Sequence, residues 1–259
     1  MKAISAGLSL TGEIRTNNED NFYIDGYYKE DYRSSSFAVT CSEDRDCHVY
    51  AVCDGMGGYE FGEKAAWQTL KLLRSFDNED IEKNLKAFVL HANREVCRSY
   101  TGTGSEKRGT TLALVTIMSD RLTCCNVGDS RVYLYRKKRL ERISEDHTRA
   151  QSMINAGIMS EKDAESRRDL RVLNQYIGVP EDDFIISPEI KSGIPLLKGD
   201  IIILCSDGLT DMVSDVEIGK TIKKSRRRNP ELIAGALARE AMVKGGRDNI
   251  TAVVVKIEK

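Results

Sequence analysis

Apolar positions along the chain follow two rhythms. Ile81, Leu85, Phe88, Val89, Ala92, Val96 and Tyr100 recur at three- and four-residue steps, which is one face of a long amphipathic helix. The stretch Gly62–Phe76 repeats that rhythm through Ala66, Leu70 and Leu73. A third helix is predicted from about Pro230 to Val243, stopped by Gly245 and Gly246. Elsewhere the apolar runs are short. They predict strands at Asn21–Asp25, Phe37–Thr40, Val49–Cys53, Thr110–Met118, Leu122–Val127, Arg131–Tyr135, Ile201–Cys205 and Ile250–Ile257. Many of these are joined by short turns, and the first two helices come together after the first strands. That is not strict βαβ alternation, so the expected class is α+β, with antiparallel sheets covered by helices. No repeat, low-complexity tract or Pro/Gly/Ser linker divides the chain, so one unit is expected over 1–259. Residues 147–175 break the pattern. HTRAQSMINAGIMSEKDAESRRDLRVLNQ is polar, with short helical pieces around Gly157, and reads either as a mobile surface excursion or as an ordinary helical connection.

Composition narrows the class. At 259 residues the chain is long enough to bury a core without disulfides or a structural metal. Charged residues make up 31% and apolar residues 41%, as in soluble globular proteins. Lys and Arg number 39 against 40 Asp and Glu, and this balance argues against nucleic acid as a partner. Apolar runs such as Ile201–Cys205 are too short to cross a bilayer, and MKAISAGLSLTGEIR lacks the apolar stretch of a secretory leader. The seven cysteines form no C-x-x-C pair, and several sit in apolar runs. They are expected to be buried thiols of a reducing, cytoplasmic protein.

The placing of the aspartates points to chemistry. Asp54 follows the run YAVC and precedes Gly55, Met56, Gly57 and Gly58; Asp207 follows IIILCS and precedes Gly208. Both leave buried strands. Asp20 and Asp248 stand before NFYID and ITAVVVKI, at strand entries, and Asp129 lies in the turn of a predicted hairpin. Entry strands antiparallel to exit strands bring these carboxylates to one end of the sheets. Any single Asp-Gly is most simply a turn. Several anions in one cleft repel and need a cation, and oxygen-only ligation selects Mg²⁺ or Mn²⁺ over Ca²⁺. Two such ions about 4 Å apart lower the pKa of a shared water, which suits phosphate-ester hydrolysis. Arg15, five residues before Asp20, could hold the phosphate bidentately, or could be an ordinary solvated arginine.

RTNNED (15–20), VCDGMGG (52–58), GTT (109–111), NVGDSR (126–131), EDHT (145–148), IGV (177–179), CSDGLTD (205–211) and GGRDNIT (245–251) occur in this order. The set resembles the protein phosphatase 2C family of metal-dependent Ser/Thr phosphatases, in its compact bacterial form. The resemblance implies a four-layer α-β-β-α sandwich and two central Mn²⁺ or Mg²⁺ ions. It implies that Asp54 bridges both ions, that the Gly55 carbonyl binds one, and that Asp207 and Asp248 hold the other. Asp20 would support the site directly or through water, Arg15 would grip the substrate phosphate, and Asp129 and Asp211 match the ligands of a third, weaker ion. Glu19 would ligate or hydrogen-bond metal waters, Asn249 would stand behind the ligands, and His147 is expected to be structural. The excursion at 147–175 matches the family's flap. Met56 stands where many eukaryotic relatives carry a histidine proposed as general acid, and Gln175 where an arginine is often found.

The resulting expectation is a monomeric, cytoplasmic phosphoserine/phosphothreonine phosphatase. It works without a phosphoenzyme and opposes a cognate Ser/Thr protein kinase on phosphorylated proteins. Two rivals stand beside it. A non-catalytic regulator on the same fold predicts missing ligands, and none is missing. A metal-dependent nuclease or small-molecule phosphatase predicts a basic groove or a tight apolar pocket. The one strong basic run, Lys223, Lys224, Ser225, Arg226, Arg227 and Arg228, is expected on a surface connection.

Overall fold

Ile201–Cys205 is apolar at every position, and the computed structural model shows why: both faces of its strand are covered. Ile202 and Leu204 point between two sheets, among Phe22, Val52, Val115, Ile117, Val132, Leu134, Val253 and Val255. Ile201, Ile203 and Cys205 point outward to Leu209, Ile218, Ile222, Ile233 and Leu237. The second sheet is likewise buried twice. Its outer residues Ala51, Cys53, Leu112, Leu114 and Val127 pack on Ala66, Leu70, Leu85, Val89, Ala92 and Val96. A period of two with apolar residues on both faces reads as an unbroken apolar run. The layers are helix, sheet, sheet, helix, the α+β sandwich expected.

The structure describes residues 1–57, 61–75, 81–99, 108–180, 185–225 and 229–258. In chain order, β1 (Lys2–Leu10), β2 (Asn21–Ile24), β3 (Tyr27–Tyr28), β4 (Ser36–Asp44), β5 (Cys47–Cys53) and β6 (Gly55–Met56) precede α1 (Phe61–Leu72) and α2 (Ile81–Arg98). Next come β7 (Gly109–Thr110), β8 (Leu112–Met118), β9 (Arg121–Val127), β10 (Arg131–Arg136) and β11 (Arg139–Arg142). The excursion carries α3 (Arg149–Asn155) and α4 (Glu161–Ser166). Finally β12 (Glu189–Pro195) and β13 (Ile201–Cys205) lead through α5 (Asp207–Thr210), α6 (Asp215–Ser225) and α7 (Pro230–Val243) to β14 (Ile250–Ile257). One sheet runs β11-β10-β13-β14-β1-β4 and the other β12-β9-β8-β5-β2-β3, and every pairing is antiparallel. Two-residue turns at Asp25-Gly26, Ser119-Asp120 and Lys137-Lys138 hold both residues at positive φ, which matches the twist of their flanking strands.

Several sequence expectations shift, and predicted Phe37–Thr40 and Val49–Cys53 run longer, as β4 and β5. Asn21–Asp25 ends at Ile24, because Asp25 opens the turn at φ 47°. Thr110–Met118 splits into β7 and β8, because Thr111 leaves the ladder to hold Asp54. The Gly62–Phe76 helix is regular only to Leu72 and tightens into a 3-10 turn at Leu73–Ser75. Lys223, Lys224 and Ser225 close α6 rather than lying on a connection. Gly58, Phe76, Tyr100 and Arg226–Arg228 lie outside the described residues.

Candidate active site

Strand register brings the aspartates together. Asn21 pairs with Cys53, so Asp20 and Asp54, one residue beyond each, leave the second sheet side by side. Cys205 pairs with Ala252 and Leu10 with Ile250, which puts Asp207, Asp248 and the loop to Arg15 at the same end of the first sheet. A cleft of about 290 Å³ opens there. Its walls include Arg15, Glu19, Asp54, Gly55, Met56, Asp129, Arg171, Asp207 and Asp248.

The chain invests hydrogen bonds in Asp54. Its N–H donates to Thr111 Oγ1 at 2.9 Å, and its carbonyl accepts from Thr111 N and Thr110 Oγ1, each at 2.9 Å. Thr111 Oγ1 is itself 2.6 Å from Ser130 Oγ, beside Asp129. The GTT segment is thus a cradle for the Asp54 backbone. Gly55 has no room for a side chain, since a Cβ there would lie 2.3 Å from the Gly62 carbonyl oxygen and 2.7 Å from that of Glu19. Gly208 is tighter still, since a Cβ there would lie 1.9 Å from the Asn249 carbonyl oxygen. Gly208→Ala must therefore push α5 from the start of β14 and separate Asp207 from Asp248. Thermal unfolding with and without Mn²⁺ is expected to show a loss of about 1–3 kcal/mol or more, with most of the Mn²⁺ stabilisation gone.

Burial governs the charges. Burial raises the carboxyls of Asp54 and Asp207 well above the ordinary range. After burial, Asp20 adds most to the rise at Asp54 and Asp129 to that at Asp207. Asp129 is pushed up to about 7 and Asp20 to about 6, in both cases chiefly by burial. Asp20 lies behind the cleft, fully buried. Its Oδ2 accepts from Ser206 Oγ at 2.6 Å, while Oδ1 is buried with no hydrogen-bond partner among the described residues. Arg15 donates to Asp248 Oδ2 at 2.7 Å, and that bond raises its pKa. Arg171, from the excursion, pairs with Asp211. Asp211 follows α5, and its N–H donates to the Asp207 carbonyl at 2.7 Å, so a helical turn links the two.

Glu19 and Asn249 do different work. Glu19 lines the cleft, and burial raises its carboxyl while Asn17 opposes the rise with a 3.1 Å hydrogen bond. Asn249 acts as a staple: its Oδ1 accepts from Glu19 N, and its Nδ2 donates to the Thr11 and Asn17 carbonyls, all at 2.8 Å. Its side chain thereby ties the Arg15 loop to β14. His147 is structural, for its Nδ1 accepts from Gly128 N at 3.3 Å in the Asp129 turn. Gln175 Oε1 accepts from Ser187 N at 2.8 Å and so anchors the chain after the excursion.

Two groups near the site carry no signal in the sequence. Lys29 is 2% exposed, and burial lowers its pKa to about 8. Its Nζ donates to the Asn18 carbonyl at 2.8 Å, and Asp20 and Glu63 are its acidic neighbours. It is a cation beneath an acidic site, and nothing in YYKED announces it. Arg171 is the other, one of several arginines in a polar stretch.

The donor set fits hard divalent ions: carboxylates, the backbone of Gly55 on the cleft wall, and a buried carboxylate oxygen of Asp20 that no described hydrogen bond satisfies. Among the described residues no three His, Cys, Asp or Glu side chains stand in an arrangement that by itself could hold an ion. Register collects the carboxylates at one cleft without closing them into a coordination sphere. Unneutralised carboxylates repel, and Arg15 and Arg171 occupy Asp248 and Asp211.

The family model of protein phosphatase 2C matches residues 15–152 and 168–250. The chain belongs to the protein phosphatase 2C family. It is 29% identical to the serine/threonine phosphatase stp of Listeria monocytogenes, over 95% of this chain and 92% of that protein. It is also 29% identical to the serine/threonine protein phosphatase PstP of Mycobacterium tuberculosis, over 97% of this chain and 44% of that one. A crystal structure of the latter superposes with a TM-score of 0.81 at 28% identity, covering both chains fully. The catalytic domain of PstP in complex with two manganese ions gives 0.79 at 26% identity, again over both chains in full. The family match omits 153–167, the outer part of the excursion around α4.

Proposed function

We propose that this chain is a metal-dependent protein phosphatase, a single catalytic domain hydrolysing phosphoserine and phosphothreonine in proteins. The observation that carries the reading is the cleft itself, where Asp54, Asp207 and Asp248 meet Arg15 at one end of the two sheets. Asp54, the Gly55 carbonyl, Asp207, Asp248 and Asp20 would hold two ions, Mn²⁺ or Mg²⁺. Asp129 and Asp211 would serve a third. Bound there, the ions supply a water of lowered pKa and positive charge for the phosphate.

The remaining work belongs to the chain. Arg15 exchanges Asp248 for the substrate phosphate and orients it for in-line attack. Thr110 and Thr111 keep Asp54 from shifting as charge builds. Met56 lines the cleft and offers no proton, so leaving-group protonation falls to water. Acidic groups outnumber the two arginines on the cleft walls, which is no groove for a nucleic acid. The acid-lined cleft beside Arg15 suits a phosphorylated side chain on a protein, and a Ser/Thr kinase is the enzyme whose products it would consume. None of the seven cysteines, all described, forms a disulfide, in keeping with a cytoplasmic setting. No helix among the described residues is long and apolar enough to cross a membrane.

The test is hydrolysis of phosphothreonine, phosphoserine and phosphotyrosine peptides of one sequence, with Mn²⁺ and with excess chelator. Rapid turnover of the first two, little of the third and none under chelator is expected. Full activity after chelation would refute the reading.

A further inference from the structure

Arg171 stands on the cleft wall although it belongs to the polar excursion. Its backbone is tied down. Arg149 N donates to the Val172 carbonyl and Asn174 N to the His147 carbonyl, both at 3.0 Å, and Thr148 bridges Leu173. His147 N in turn donates to the Gly128 carbonyl at 2.8 Å, next to Asp129. Leu170 and Ile177 are buried on either side. The inner segment of the excursion, residues 171–174, is therefore fastened to the turn that carries Asp129, and Arg171 projects from a fixed post.

Its resting partner is Asp211, with both side chains about one-third exposed. A lone ion pair of that exposure adds little stability. Arg15 is placed in the same way on another wall, resting on Asp248. Two guanidiniums thus border the cleft, each held by one aspartate. A phosphate monoester dianion carries more charge and more acceptor oxygens than a carboxylate, and one arginine fork cannot saturate it.

We propose that Arg171 is a second substrate-phosphate-binding arginine, supplied by the excursion, and that its pair with Asp211 is the state it leaves when substrate arrives. This rests on the phosphatase reading above. Arg15 approaches the phosphate from the loop before β2, and Arg171 approaches from the segment fastened to the Asp129 turn. The excursion then contributes directly to recognition.

Kinetics of the Mn²⁺-loaded enzyme test this, with a phosphothreonine peptide as substrate and inorganic phosphate as competitive inhibitor. Arg171→Ala is expected to raise both KM and the phosphate inhibition constant about tenfold or more, the size of a lost charge-assisted pair, with kcat within about threefold of the parent. Arg171→Lys keeps the charge without the fork and should recover only part of the loss. Unchanged KM and phosphate inhibition in both variants would overturn the inference. So would a fall in kcat with phosphate inhibition unmoved, which is the mark of a merely structural contact. If the parent enzyme itself shows no Mn²⁺-dependent hydrolysis, the phosphatase reading fails instead.

Discussion

Asp54→Asn is expected to lower kcat for Mn²⁺-dependent phosphopeptide hydrolysis roughly a hundred- to thousandfold, and yet to make the metal-free protein more stable. The two effects share one cause. Burial and the surrounding aspartates hold the Asp54 carboxyl well above its ordinary pKa, and Asp207 lies within hydrogen-bonding reach. An amide at this position removes one buried anion and can donate to Asp207. The gain should be about 1–2 kcal/mol, or a few degrees in Tm. Backbone geometry is preserved, because Thr110 and Thr111 bind the main chain of residue 54 and not its carboxylate. What disappears is a carboxylate that, on the reading proposed above, would hold the ions. Calorimetric melting with chelator, then with Mn²⁺, reads both halves. The parent should gain far more from Mn²⁺ than the variant, so the order of stabilities reverses on adding metal. A variant that melts lower than the parent without metal would show that the carboxylate is not under repulsive strain.

Much of this is legible in the sequence because function and fold use the same punctuation. Asp54 and Asp207 are readable as strand exits since YAVC and IIILC are continuous apolar runs, and those runs are continuous because each strand is buried on both faces. β1 escapes the strand pattern. KAISAGLSL mixes Ser5, Gly7 and Ser9 with its apolar residues, and these small residues are buried for local reasons. A Cβ on Gly7 would lie 2.3 Å from the Phe22 ring, and Ser9 Oγ accepts from Asn18 and Thr251. α6 escapes too, because its apolar face is thin, resting on Ile218 and Ile222 among charged neighbours. β12 is an edge strand broken by a bulge between Lys191 and Ile194, so its alternation is interrupted. In the site, Lys29 and Arg171 carry no local signature at all. Their roles depend on long-range placement, since Lys29 meets a loop 11 residues away and Arg171 an aspartate 40 residues away. Asn249 is intermediate. Its position after Asp248 marks it, but its function as a staple across 230 residues to Glu19 is visible only in three dimensions.

Mn²⁺ binding should release protons at pH 6 and hardly any from Asp20 or Asp129 at pH 8. Asp20 sits near 6 and Asp129 near 7 in the folded metal-free protein, and burial raises Asp54 and Asp207 well above the ordinary carboxyl value as well. In the unfolded chain these carboxyls titrate at about 3.9. Between about pH 4 and pH 7 the folded protein therefore binds more protons than the unfolded one, so the stability of the metal-free protein must fall as pH rises through that window. Metal binding works the other way. Carboxylates must be ionised to ligate, so each proton still held at pH 6 has to leave, and apparent affinity climbs with pH. Titration calorimetry in two buffers of different ionisation enthalpy counts these protons. On the order of one or more per protein is expected at pH 6, with a clear decline by pH 8. The Asp54→Asn variant should release fewer at pH 6. No release at either pH would mean that the buried carboxylates are already ionised before the metal arrives, and the charge repulsion inferred from the burial of Asp20 and Asp54 would have to be abandoned.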